Sequence, residues 1–380
     1  MERKRRECRV CGSTELVPVI ILPNYPMVAG PVMQVPKTVP TCDLEVWLCH
    51  RCGTCVLLNT DVDKLAYDDD YTSSNITYGH VKSMDEQTDR FVEFVGRAGK
   101  SPSSKVLEIG CYNGVLMGLL GKRYRFKMLG CEPCVSLAEE AGGKGYDVRS
   151  SVFNATDYDK LDMVVARNIL EHIPSPSQFV KGVASTLKQD GAFVLEVPAG
   201  EHCIRNGILG TIVPEHPCYF GRDSLERLLG DHFTTITLEE SGATIRAVAF
   251  YPYRSKSGEG GDIDATQLRT GVQIRQTRYD AIQKAVDGEK VDIFGANTCT
   301  LELIAAGAVK TEQIGEIYDD DPRRWGRYLV NTNLIVSPRS AISKGKRQKV
   351  LVCSYTHRQS IAEYVTKQNR TAVKLYGDEE

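Results

Sequence analysis

No apolar run in the 380 residues approaches the roughly 18 that a membrane span needs. Net charge is nearly absent as well: 47 Lys and Arg stand against 49 Asp and Glu, a formal −2. That balance removes the bulk electrostatic footprint of a non-specific nucleic-acid binder. There is no internal repeat and no low-complexity segment, and 42% hydrophobic with 25% charged residues is a globular composition, not a collagenous or disordered one. The start, MERKRRECRVCG, is basic but no apolar stretch follows it, so no secretory signal is expected and the expected compartment is the cytoplasm. Histidine is scarce. His50, His80, His172, His202, His216, His232 and His357 are all there are, which leaves few groups for proton transfer near neutral pH.

Cysteine, by contrast, is abundant: 13 residues, six of them within the first 55. Without a signal peptide a secreted disulfide scaffold is a poor explanation. Cys8-x-x-Cys11-Gly12 and Cys49-x-x-Cys52-Gly53 are separated by 37 residues. Two such knuckles supply the four soft ligands of tetrahedral zinc, and four cysteines leave no open position, so the metal would be structural. Cys42 and Cys55 are nearby spares. Cys55 sits in TCVLL, which reads as a buried strand.

Residues 82–98 carry apolar positions at helical spacing behind an acidic start. Strand and helix patterns then alternate from KVLEIGC to AFVLEVP, which predicts a mostly parallel sheet covered on both faces. Residues 199–221, rich in Gly and Pro, read as a loop. TTITLEES and ATIRAVAFYPY read as an antiparallel hairpin, and SKSGEGGDI at 255–263 as a break. A long helix follows, then a second α/β run beginning with VDIFGAN. The expected division is a zinc module at 1–75, a nucleotide-type α/β domain at 76–255 and a smaller α/β domain at 256–380.

Chemistry concentrates at Lys105–Gly114, KVLEIGCYNG. An apolar strand runs into a turn where Gly110 and Gly114 allow a ligand close to the backbone. The spacing is not Gly-x-Gly-x-x-Gly. Glu108 at the strand end would repel a phosphate but suits a cationic ligand such as S-adenosylmethionine, with its sulfonium and ammonium groups. Glu132, 24 residues on, ends the next strand where a carboxylate can accept ribose hydroxyls.

These segments resemble class I S-adenosylmethionine-dependent methyltransferases: VLEIGCYNGVL is similar to their first motif and CEP to their acidic second one. The resemblance implies that Phe153 and Asn154 flank the adenine. It also implies that RNILEHIP (167–174), including Asn168, lines the methyl donor and acceptor. The order of parts over nearly the whole chain is similar to the sugar C-methyltransferases that act on nucleotide-activated keto-deoxysugars. Those parts are a four-Cys module, VLEIGC, LEHI, a Glu-His loop with aromatics, and a second Rossmann-like domain opening on Phe294-Gly295-Ala296. The family's loop reads Tyr-His-Glu-His before its Tyr-Phe; here Val213 and Pro214 precede Glu215, His216 and, further on, Tyr219-Phe220. The family's lysine after Gly-Ala is replaced by Asn297-Thr298-Cys299, and DDDPRRWGRYL (319–329) is similar to the segment ending its next strand.

Methylating a carbon beside a ketone needs a base for the α-proton and a donor to the enolate. The resemblance assigns the base to His216, with Glu215 between substrate and base and His172 as a second active-site group. Tyr219 is a candidate hydroxyl for the enolate. The small C-terminal domain is expected to close over the acceptor. Arg323, Arg324 and Arg327 could grip its diphosphate, although a solvated charge run is the default. Two further functions stay open: O- or N-methylation of a sugar or other small metabolite on the same scaffold, and a zinc-ribbon nucleic-acid binder with a vestigial donor fold.

Overall fold

The computed structural model describes residues 7–60, 65, 82–251 and 265–377. The expected boundaries at 75/76 and 255/256, the Gly/Ser break and His80 lie outside them. Among the described residues no helix is long and apolar enough to cross a membrane.

The first strands, β1 (Leu16–Pro26), β2 (Val32–Met33), β3 (Thr41–Cys49) and β4 (Cys55–Leu57), are short or bulged. Three of them build an antiparallel sheet in the order β1-β3-β4. Alternation along β4 shows how this sheet is used. Cys55 and Leu57 pack into one core with Leu44, Ile293 and Leu351, while Val56 packs into another with Phe193, Phe220 and Leu225. Side chains two apart share a face. The N-terminal sheet is therefore the wall between the two α/β units, and Cys55 lies fully buried in a strand, as TCVLL suggests.

After the helix Lys82–Val95 and its 3-10 extension to Ala98 come β5 (Lys105–Ile109), β6 (Lys127–Cys131), β7 (Asp147–Arg149), β8 (Leu161–Arg167) and β9 (Leu187–Pro198). They are parallel, and the sequence of apolar runs explains it: β5 and β8 are buried on both faces, which requires helices on each side. The full order is β11-β12-β9-β8-β5-β6-β7, with the hairpin β11 (Thr235–Ser241) and β12 (Thr244–Phe250) antiparallel at one edge. The chain leaves β5 to one side for β6 and β7 and returns to the other for β8. In open α/β sheets ligands bind at such a switch point, beyond the carboxyl ends of the strands.

The C-terminal unit has a parallel sheet ordered β16-β14-β13-β17-β18: β13 (Val291–Phe294), β14 (Ile314–Asp319), β16 (Val336–Pro338), β17 (Lys349–Val352) and β18 (Thr371–Lys374). Its β15 (Tyr328–Leu329) pairs with β2. The amide of Asn331 grips both backbone groups of Val39, at 2.7 and 3.1 Å.

Residues 199–221 are not simply a loop. Gly200–Arg205 is a helical turn, and β10 (Cys218–Tyr219) pairs antiparallel with Val56 and Cys55, becoming the fourth strand of the N-terminal sheet. Between them Gly210 donates its amide to Glu302 at 2.7 Å and accepts from the Thr298 hydroxyl at 2.7 Å. Ile212 to Glu215 are buried. The segment is a strap held at both ends, because Glu302 and Val56 each give its backbone polar groups a partner.

Candidate active site

A cavity of about 1000 Å³ opens at the switch point. The turn after β5 forms its floor. Gly110 (φ 69°) and Gly114 (φ 79°) both occupy the left-handed region that favours glycine, and a Cβ on Gly110 would sit 2.2 Å from Cδ1 of Ile169. Glu132 braces this turn: its carboxylate accepts the amides of Tyr112 and Cys134, both at 2.9 Å. Four acceptor positions on a carboxylate leave room for ribose hydroxyls beside those two bonds. Burial raises the Glu132 pKa, and the two amide bonds oppose it. Glu108 is 4% exposed, and its Oε2 has no partner. Burial pushes its pKa well above the carboxylate range; the Arg167 charge opposes this. A cation placed against this carboxyl would restore its ionised form. An orphaned buried oxygen and a turn that admits no side chain are what a cationic, backbone-hugging donor requires.

The expected residues divide as follows. Glu108, Gly110, Glu132, Phe153 and Asn168 all line the cavity. Gly114 lies in the same turn and caps the following helix. Asn154 does not line it: its side chain accepts the Thr156 amide and caps a 3-10 turn. His172, Val213, Glu215, His216 and Tyr219 line the other end. The His172 and His216 rings meet edge to face, 4.6 Å between centroids, although they stand 44 positions apart in the chain. His172 Nδ1 lies 3.0 Å from the Glu215 carbonyl, so Nδ1 carries the proton and donates it. Burial drives His172 down to about 4 and His216 well below its ordinary value, the latter also repelled by His172, so both rings are neutral. Burial pushes Glu215 up to about 7, and its Oε2 has no partner.

The Tyr219 hydroxyl is committed elsewhere. It accepts the Val213 amide at 3.1 Å and donates to the Val213 carbonyl at 3.2 Å, so it braces the strap. The segment 323–327 is also more than a solvated charge run. Arg324 is 8% exposed, lines the cavity, and bonds Asp319 and the Ala296 carbonyl, both at 3.1 Å. Arg323 bonds Asp321, and its charge opposes the upward push of burial on the Tyr112 hydroxyl in the turn after β5. Arg167 and Glu171, which the resemblance placed within the lining segment 167–174 without roles of their own, also line the cavity. Glu171 is 3% exposed, its Oε2 has no partner, and burial raises its pKa to about 8. Its only signal was its place inside Leu-Glu-His-Ile.

At the far side of the N-terminal sheet the four knuckle cysteines converge. All four Sγ atoms lie within 4.8 Å of one another, with Cys8–Cys52 and Cys11–Cys49 at 3.6 Å. Zn–S bonds near 2.3 Å in a tetrahedron put sulfurs about 3.8 Å apart, so this cluster fits a zinc ion. Gly12 (φ 70°) and Gly53 (φ 78°) close the two knuckles, their amides bonding the Cys8 and Cys49 carbonyls.

Residues 80–232 match the family model of a methyltransferase domain. The chain thus carries an S-adenosylmethionine-dependent methyltransferase domain with the class I, Rossmann-like α/β fold. No curated protein matches the chain. Similar solved structures include a Pyrococcus horikoshii protein (18% identity, TM-score 0.40, 46% of this chain and 94% of that one). A cyclopropane synthase from Mycobacterium tuberculosis is another (15%, 0.34, 44% and 70%). The CurJ carbon methyltransferase is a third (14%, 0.32, 40% and 49%).

One consequence concerns Gly110. Valine there would force a β-branched residue to φ 69° and crowd Ile169, at a cost of about 1–2 kcal/mol for the backbone alone. Calorimetry should find S-adenosylmethionine bound about tenfold or more weakly by Gly110→Val; unchanged affinity would move the donor elsewhere.

Proposed function

We propose that the enzyme transfers a methyl group from S-adenosylmethionine to the carbon beside the ketone of a nucleotide-activated keto sugar. One observation carries this reading: Glu171, His172, Glu215 and His216 converge on the same cavity as the donor turn, with buried carboxylate oxygens of Glu171 and Glu215 lacking partners. Acid–base groups at such a density serve a substrate whose nucleophile must first be made by removing a proton.

In this mechanism a base takes the α-proton, and the C–H electron pair moves onto the ketone oxygen as an enolate. The enolate carbon attacks the donor methyl, the C–S bond breaks, and S-adenosylhomocysteine leaves. The resemblance gave the base role to His216. Burial and His172 make that imidazole a weak base, so we assign the proton transfer to Glu215 and place His216 at the ketone oxygen, with His172 packed against its ring. Arg324, with Asn297 and Thr298 from the C-terminal unit, lines the same cavity and suits an anionic diphosphate. The cysteine cluster would hold a structural zinc.

The second reading is O- or N-methylation. Val213, where the family has tyrosine, and the engaged Tyr219 hydroxyl favour it, because neither donates to an enolate. Mass spectrometry after incubation with nucleotide-linked keto-deoxysugars in heavy water separates the two. C-methylation predicts a methyl gain together with deuterium wash-in at the α-carbon; a methyl gain without wash-in selects the second reading.

A further inference from the structure

We propose that Glu171, His172 and His216 bind a divalent metal ion inside the acceptor cavity, separate from the cysteine cluster. One ligand atom from each of the three lies within 4.8 Å of the other two. Around a tetrahedral cation bound at 2.0–2.2 Å three ligand atoms lie about 3.3–3.6 Å apart, so side-chain movements of up to about 1–1.5 Å close the site.

The surroundings are those of a metal site. Glu171 is 3% exposed and keeps Oε2 without a hydrogen bond, an unfavourable arrangement that a bound cation would relieve. His172 donates Nδ1–H to the Glu215 carbonyl at 3.0 Å, which leaves the lone pair on Nε2. A carbonyl behind one ring nitrogen is how metal-binding imidazoles are commonly oriented. The ligands come from two anchored elements. Glu171 and His172 lie on the 3-10 turn Leu170–His172 that follows β8, and His216 lies on the strap tied down by β10.

The donor set also indicates the class of ion. Two imidazoles and one carboxylate suit Zn²⁺ and its transition-metal neighbours rather than Mg²⁺ or Ca²⁺. Three protein ligands with a face on a cavity leave a coordination position open, whereas four cysteines leave none. In the C-methylation reading, on which this role rests, the open position takes the ketone oxygen and stabilises the enolate. That supplies what Val213 and the engaged Tyr219 hydroxyl do not, and it leaves Glu215 as the base.

Zinc content of the full chain after exposure to Zn²⁺ and desalting, together with calorimetric titration of Zn²⁺, tests the site. The wild type should hold two equivalents. Glu171→Gln and His216→Ala should each hold one, with S-adenosylmethionine affinity unchanged as the check that both variants are folded. Cobalt(II) loaded into the second site should add weak visible bands without new thiolate charge-transfer absorption. A wild type that saturates at one equivalent overturns the proposal, and so does a second equivalent retained by both variants. Two equivalents without α-deuterium wash-in would support the metal site and refute the keto-sugar reading.

Discussion

Glu215→Gln is expected to lower turnover by about 10²–10⁴-fold, the usual contribution of a positioned base, while S-adenosylmethionine affinity stays within about twofold. The two effects separate because Glu215 sits on the strap and the proposed donor site is the turn after β5. Glutamine preserves shape and removes only the proton acceptor. The side chain is 7% exposed, so bulk water cannot easily take over the proton transfer. Deuterium wash-in at the acceptor's α-carbon should disappear along with turnover. His216→Asn should also lose turnover by about 10²-fold or more, through loss of stabilisation at the ketone oxygen rather than loss of the base. The two variants therefore differ in a partial reaction: wash-in without donor is abolished in Glu215→Gln and only slowed in His216→Asn. A Glu215→Gln enzyme within threefold of wild type would return the base to His216.

Much of this site could be read along the chain because its signals are local. Alternating strands and helices, the Gly110–Gly114 turn and the paired Cys-x-x-Cys knuckles each depend on residues a few positions apart, and each is found where its pattern implies. What escaped depends on distant partners. Nothing near Cys218 and Tyr219 signals that they pair with Val56 and Cys55, and a two-residue strand has no periodicity to detect. So residues 199–221 read as a loop, although both of their ends are anchored. Arg324 looked like one of a solvated charge run because its partners, Asp319 and the Ala296 carbonyl, meet it only when β13 and β14 lie side by side. Glu171 was expected only as part of the lining segment 167–174, with no role of its own. Only the packing of the turn after β8 against the strap shows it buried. The Tyr219 hydroxyl, a candidate from the sequence, is spent on the Val213 backbone, a pairing that only the folded strap shows.

The pairing of β4 with β10 predicts that the cysteine cluster acts on catalysis at a distance. Cys49 and Cys52 end β3 and begin the turn into β4, three residues before Cys55. Val56 and Cys55 then hold Cys218 and Tyr219, and Leu57 donates its amide to the Pro217 carbonyl at 2.9 Å. His216 immediately precedes Pro217. A closed four-thiolate site contributes folding energy directly, so Cys49→Ser should remove bound zinc and lower the first thermal transition by on the order of 10 °C. It should also lower turnover below the unfolding temperature by about tenfold or more, because a shift of about 1 Å in a reacting group can cost 10²-fold. Donor affinity should be nearly unchanged, since the turn after β5 is built on a different sheet. The comparison that decides is Cys42→Ser, a cysteine of the same sheet outside the cluster: it should keep zinc, transition temperature and turnover. If Cys49→Ser loses zinc yet turns over normally at low temperature, the strap is held by Glu302 and Thr298 alone, and the cysteine module serves stability without positioning Glu215 and His216.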